Sequence, residues 1–283
     1  MLCFNTIHDT RQQLYAWRMA GERIVFVPTM GNLHRGHLRL VEHARQQGQR
    51  VVVSIFVNPM QFNDKDDFAA YPNTLEQDSV KLQAVGVDAL FLPSVEMIYP
   101  DGHQNNCDVI VPGLSDILCG AHRPGHFVGV ATVVAKLFNI VQADVAVFGE
   151  KDFQQLMVIR RMVNALCFPV EVKGVPTERE SDGLAMSSRN GYLSAEERQR
   201  APLLYKVLEQ VKSQLKSGGD DISAIEAQAQ QVLQDGGFRA EYFSVRSAQD
   251  LALVEANTQD LVIVAAAWLG KARLIDNIRL NLG

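Results

Sequence analysis

Alternation constrains this chain more than any single motif. Through about residue 175, RIVFVP, VVVSIFVN, DALFLP and ADVAVFG form short continuous apolar runs bounded by turn residues. Strands buried on both faces read this way. Between them lie helical patterns: residues 37–47, a segment opened by the capping-box signature Thr74-Leu75-Glu76-Gln77, VGVATVVAKLFNIV and FQQLMVIRRMVNAL. DVIV, from Asp108 to Val111, reads as a further short strand and VEVKGV as a last one. Strands and helices in this rhythm imply an α/β fold with a parallel sheet covered on both faces. Ligands of such sheets bind beyond the carboxyl ends of the strands.

The rhythm changes after about residue 179. Ser194-Ala195-Glu196-Glu197 is a second capping box, opening a helix that runs to about residue 216. The polar stretch SGGDD reads as a flexible joint, followed by a helix over 222–234 that stops at Gly236-Gly237. FRAEYFSVRS, LVIVAAAWL and ARLIDNIRL are strand-like. These elements predict a smaller α+β domain over 177–283 after a first domain over 1–176.

Composition narrows the function classes. No apolar run approaches the roughly 20 residues of a membrane span, and no basic and apolar secretory leader is evident at the start. Four cysteines without paired metal-type spacing point to a reducing, cytoplasmic setting. A net charge of −5 without a basic run disfavours nucleic acid as a partner. It leaves room for a small anionic substrate held by local cations.

Four unusual segments begin where strands end: PTMGNLHRGH, NPMQF, GEKDFQQ and the loop through MSSRN. The first carries His34 and His37 three apart, with Gly31 and Gly36 permitting close backbone approach. A metal site would need further ligands that the neighbourhood lacks. A satisfied turn histidine is the plain alternative. A strand-to-helix turn also offers backbone N–H groups to an anion, and imidazoles add donors. The segment therefore reads as a phosphate cradle, though it is neither GxGxxG nor a Walker A loop.

The other segments carry compatible chemistry. Lys151 sits where a cation can reach phosphate oxygens; in a helix's first turn it opposes the dipole, which favours a ligand-directed role. Asp152 suits either a helix-start carboxylate or a partner for ribose or magnesium-bound water. Asn58, Gln61 and Gln155 are neutral amides suited to hydroxyl and carboxylate recognition. Ser187, Ser188 and Arg189 offer hydroxyls and a guanidinium fork to phosphate from a loop at the domain junction, next to Gly183.

The HxGH element, His34-Arg35-Gly36-His37, resembles the HIGH-type signature of nucleotidyltransferases and class I aminoacyl-tRNA synthetases. PTMGNLHRGH, SIFVNPMQF, RPGHFVGV, FGEKDFQQL and DGLAMSSRNGYL together, in order and spanning almost the whole chain, resemble the pantothenate synthetase family. The resemblance implies a Rossmann-like domain with a small C-terminal lid domain. It also implies a two-step ligase in which pantoate and ATP give pantoyl adenylate and pyrophosphate, after which β-alanine releases AMP and pantothenate. Magnesium and a homodimer belong to that expectation.

By the same resemblance ATP falls to Met30, Gly31, Asn32, Leu33, His34, Arg35, Gly36 and His37, and to Gly149, Glu150, Lys151 and Asp152. Glu178, in the loop that meets adenine through its backbone, and Met186, Ser187, Ser188 and Arg189, similar to a reduced KMSKS-type loop, complete that set. His34, His37, Lys151 and Arg189 take the catalytic roles. Asn58, Gln61 and Gln155 take pantoate, with Gln61 also near β-alanine. Pro28, Met30, Met60 and Phe62 would pack around the gem-dimethyl group, and Arg123 and His126 are further candidates. Another nucleotidyltransferase of this superfamily and a non-catalytic nucleotide binder are the competing readings.

Overall fold

A computed structural model describes residues 1–62, 68, 71–219 and 221–283. The chain divides into two compact units, one of residues 1–150 and 155–176, the other of 151–154 and 177–283.

The first unit is built on six parallel strands: β1 (Leu2–Phe4), β2 (Ile24–Thr29), β3 (Arg50–Ile55), β4 (Ala89–Phe91), β5 (Val145–Gly149) and β6 (Glu171–Val175). Their order is β1-β4-β3-β2-β5-β6. Helices α1 (Ile7–Met19), α2 (Arg35–Ala44), α3 (Leu75–Ala84), the short α4 (Val95–Ile98) and α5 (Cys119–His122), α6 (His126–Val141) and α7 (Phe153–Ala165) make the crossovers. The central strands bury almost every side chain, Ile24 to Val27 and Val51 to Val53 being at most 1% exposed. That burial explains why they lack polar alternation. From β2 the order runs through β3 to β4 on one side and through β5 to β6 on the other. The topological switch point thus lies between β2 and β5, where Val25 pairs with Val145 and Phe26 with Ala146. Ligands of open α/β sheets bind there, beyond the carboxyl ends. β2 ends into the histidine turn, and β5 ends into a 3-10 turn over Glu150–Asp152.

Two expectations need correction in this unit, and one strand is new. Asp108–Val111 is not a strand; its backbone is engaged sideways, the Val109 N–H donating to Thr132 Oγ1 at 2.9 Å. The remaining edge strand is instead β1, pairing in parallel with β4 from Leu2–Ala89 to Phe4–Phe91. Thr74 does precede α3, but its side chain makes no cap bond; its hydroxyl donates to Asp78 at 2.9 Å.

The C-terminal unit holds α8 (Ala195–Arg200), α9 (Leu203–Lys216), α10 (Ile222–Asp235) and the strands β7 (Arg239–Ser247), β8 (Asp260–Leu269) and β9 (Ala272–Asn281). The strands form an antiparallel sheet in that order. Leu204, Leu208 and Val211 of α9, Leu233 of α10 and Phe243 and Ile263 of the sheet share one core. The single helix expected from residue 194 is two. Ser194 and Glu197 form the reciprocal capping box, but Pro202 follows Ala201 and cannot continue the hydrogen-bond ladder. Asp221 caps α10 by accepting from the Ala224 N–H at 2.9 Å. Of the SGGDD joint, Asp220 lies outside the described residues.

Candidate active site

The turn after β2 is closed by side chains. Gly31 has φ +82°, and a Cβ there would meet Ile55 Cγ2 at 3.0 Å, so glycine is required. The Gly31 N–H donates to Thr29 Oγ1 at 3.2 Å. Asp78 of α3, fully buried, accepts from the N–H groups of Asn32 at 2.7 Å and Leu33 at 2.9 Å. Lys81 donates to the Leu33 carbonyl at 2.7 Å. Asp78 and Lys81 carry no motif signal; their contacts span 45–48 residues, beyond the reach of local pattern.

His34 and His37 cap α2 reciprocally. The Gly36 N–H donates to His34 Nδ1 at 3.1 Å, and the His34 N–H to His37 Nδ1 at 3.3 Å. A backbone N–H only donates, so each Nδ1 accepts and each neutral ring carries its proton on Nε2. The ring centroids are 4.0 Å apart. Five backbone N–H groups of the expected cradle, those of Gly31, Asn32, Leu33, His34 and Gly36, are satisfied by side chains. Arg35 is exposed, and Pro28, Met30 and Asn32 are half-buried.

NPMQF forms a 3-10 turn over Pro59–Gln61, capped by Asn58, whose Oδ1 accepts from the Met60 N–H at 3.3 Å. Asn58 and Gln61 are both buried and bonded, Asn58 Nδ2 donating to Gln61 Oε1 at 3.0 Å. Asn58 Nδ2 also donates to the Gly129 carbonyl at 3.0 Å, and the Tyr99 hydroxyl donates to Asn58 Oδ1 at 2.8 Å. Burial, with the charge of Asp108, holds the Tyr99 phenol well above its ordinary pKa. Arg123 and His126 converge on the Gln61 main chain, its carbonyl accepting from Arg123 Nη2 at 3.1 Å and from His126 Nδ1 at 3.0 Å. They therefore support Gln61 through its backbone. Gly129 permits the close approach of α6, since a Cβ there would lie 2.5 Å from the Met60 oxygen. Phe62 stacks edge-on against Phe68 and Tyr71. Gln155, half-buried, sits in the first turn of α7.

In the C-terminal unit the remaining candidates gather around β9. Lys151, its side chain 17% exposed, lies 3.9 Å from the Asp152 carboxylate. The Lys151 carbonyl accepts from Asn277 Nδ2 at 2.8 Å. Asn277 follows Asp276, a 3% exposed carboxylate that takes a bidentate pair from Arg179 at 2.6 and 2.9 Å. Burial pushes the Asp276 carboxyl up, against the downward pull of the guanidinium. Arg179 also donates to the Gly183 carbonyl at 3.1 Å and lies 3.7 Å over the Tyr205 ring. It follows Glu178, whose carbonyl accepts from the Met186 N–H at 2.9 Å. Ser187 caps the next 3-10 turn by accepting from the Arg189 N–H at 3.2 Å. One strand therefore anchors both the Lys151 turn and the loop leading to Met186–Arg189.

Residues 2–279 match the pantoate–beta-alanine ligase family. A pantothenate synthetase of Nitrosococcus oceani is 54% identical over 282 residues, covering 100% of this chain and 99% of the relative. One from a Shewanella species is 56% identical, covering 97% and 98%. The pantothenate synthetase crystal structure from Thermus thermophilus superposes with a TM-score of 0.91 at 46% identity, covering 98% of this chain and 99% of that one. The Francisella tularensis pantoate–beta-alanine ligase, complexed with beta-gamma ATP and beta-alanine, superposes at 0.83 with 34% identity, covering 98% and 97%. With this match over residues 2–279, and relatives more than half identical along nearly its whole length, the chain belongs to the pantoate–beta-alanine ligase family.

Proposed function

We infer that this chain catalyses the ATP-dependent condensation of pantoate with β-alanine. A pantoate carboxylate oxygen attacks the α-phosphorus of ATP; the new P–O bond forms as the bond to pyrophosphate breaks, its electron pair leaving with pyrophosphate. The β-alanine amine then attacks the acyl carbon of pantoyl adenylate. A C–N bond forms, the C–O bond to AMP breaks and the amine gives up a proton. The carrying observation is the His34–His37 pair at the end of β2, with the ring protons set on Nε2 by reciprocal capping.

The substrate carboxylate is ionised, so alignment and charge stabilisation supply the catalysis. His34 and His37 donate to phosphate oxygens, with the backbone of residues 30–36 shaping the turn. Lys151 offsets charge on the departing pyrophosphate, and Ser187, Ser188 and Arg189 bind phosphate. The Glu178 and Met186 backbone and residues 149–152 complete the nucleotide contacts. Gln61 and Gln155 hold pantoate, and Gln61 also serves β-alanine; Asn58, expected beside them, has both amide hydrogens and its oxygen engaged inside the protein and acts by placing Gln61. Magnesium fits as a companion of the triphosphate, neutralising charge there. Mg²⁺ keeps most of its waters and uses one or two carboxylates; no group of three metal-type side chains gathers among the described residues. Asp152, 47% exposed beside Lys151, is the residue to hold one such water.

We further propose a cytoplasmic homodimer whose residues 177–283 serve as a lid to a substrate domain of residues 1–176. Four cysteines that form no disulfide favour the reducing compartment, and the family resemblance favours the dimer and lid. No described helix is long and apolar enough to cross a membrane. Light scattering should return twice the 31.4 kDa chain mass.

Pyrophosphate exchange tests the chemistry. Labelled pyrophosphate should enter ATP only with pantoate present and without β-alanine; adding β-alanine should then release AMP and pantothenate. Absence of both exchange and pantothenate formation in folded, Mg²⁺-supplied protein would remove this reading.

A further inference from the structure

The Asn58 network has a direction set by the backbone. The Met60 N–H can only donate, so the atom 3.3 Å from it is the Asn58 oxygen. The Gly129 carbonyl can only accept, so the atom 3.0 Å from it is the Asn58 nitrogen. That nitrogen also meets the Gln61 side chain at 3.0 Å, which must present its oxygen. Gln61 is thereby oriented with Oε1 committed inside the protein and Nε2, with two N–H donors, assigned to a ligand. Tyr99 completes the chain at 2.8 Å from the Asn58 oxygen. All three side chains are at most 8% exposed, where water cannot substitute for a lost partner. Tyr99 remains a donor at working pH because burial keeps its phenol protonated. It is pinned by its place after α4 and by the Lys136 ammonium 5.0 Å over its ring, which donates to the Ile98 carbonyl at 2.8 Å.

We propose that Tyr99 is a positioning residue for pantoate, acting through Asn58 to fix Gln61 as a hydrogen-bond donor toward the substrate's acceptor oxygens. This rests on the reading of Gln61 as a pantoate contact. It assigns recognition a polarity: the Gln61 subsite selects an acceptor, a carboxylate or hydroxyl oxygen. Removing the Tyr99 hydroxyl leaves the orientation favoured by the two backbone partners but loosens it.

Initial-rate kinetics on the full chain test this with Tyr99→Phe, Gln61→Met and the double variant. Tyr99→Phe should raise the pantoate KM about five-fold, the scale of one neutral hydrogen bond, with any β-alanine shift in proportion to that of Gln61→Met and the ATP KM unchanged. In the Gln61→Met background it should add nothing. An unchanged pantoate KM in Gln61→Met would overturn the Gln61 reading itself. A raised KM in Gln61→Met with no change in Tyr99→Phe, an additive double variant, or equal shifts for all three substrates would overturn the relay alone. If Tyr99→Phe does not fold, Asn58→Asp substitutes an acceptor opposite Gln61 Oε1. It should raise the pantoate KM further still, and parental pantoate binding in that variant would overturn the proposal.

Discussion

In the first unit the Gln61 side chain is held by the Asn58 amide, itself held by the Tyr99 hydroxyl, neither of them charged. In the C-terminal unit the Lys151 carbonyl is held by an amide beside a buried ion pair. Both networks place a loop that carries a candidate ligand contact, yet they differ in what failure costs. Neutral partners lose one modest bond at a time. A buried carboxylate stripped of its cation, or a cation stripped of its carboxylate, leaves an uncompensated charge. The neutral network can thus be tuned by substitution, whereas the charged one is close to all-or-none.

The largest effect should come from breaking the charged side. Asp276→Ala should cost about 3–5 kcal/mol of stability, because Arg179 loses both its carboxylate bonds; urea denaturation measures this. Lys151→Ala should leave stability nearly unchanged but reduce adenylation on the order of 10²–10³-fold, the scale of one preorganised charge-stabilising group, as single-turnover pyrophosphate release would report. On the neutral side, Gly129→Ala forces α6 away from the Met60 carbonyl. It should cost about 1–3 kcal/mol and raise the pantoate KM without raising that for ATP.

The smallest effect is a difference in pH dependence. Glu22, Glu171 and Asp182 are held below their ordinary values chiefly by hydrogen bonds from Arg50, Lys173 and Arg198. Their contribution is present above the ordinary carboxylate values of 4.5 and 3.8 and is lost as pH falls through the lower folded values. Asp276, pushed up by burial, has the opposite sign: the folded state binds its proton more tightly, so its contribution falls as pH rises from 3.8. The unfolding midpoint should drop on acidification below about pH 4.5, and more steeply in Asp276→Asn, where the opposing group is gone. Equal slopes in thermal melts would contradict that assignment.

What sequence reveals follows the same divide between local and distant causes. The central strands are legible because burial on both faces writes itself as unbroken apolar runs, as in Ile24 to Val27. The histidine turn is legible because glycines and imidazoles crowd one short segment. β1 is not, because three residues carry too little pattern, and α1 is not, because its apolar positions are sparse. Asp108–Val111 has the composition of a strand but pairs with no strand among the described residues. Tyr99, Asp78 and Asp276 are invisible for another reason. Each acts on residues 41 to 97 positions away, and no local periodicity marks such a residue. The residues expected to touch ligands are local motifs; those that hold them in place are not.

The Asp78 carboxylate closes the turn at Asn32 and Leu33 from a helix that begins more than 40 residues later. During folding, then, the signature turn cannot acquire its final shape when β2 and α2 form. It must wait for α3 to arrive, and that arrival carries the entropy of closing a long segment of chain. The amides of Asn32 and Leu33 become reporters of that docking event, exchanging with solvent whenever α3 lifts away. Assembly of the catalytic turn is in this way deferred until α3 has docked, so a partly folded chain would carry the motif without its geometry.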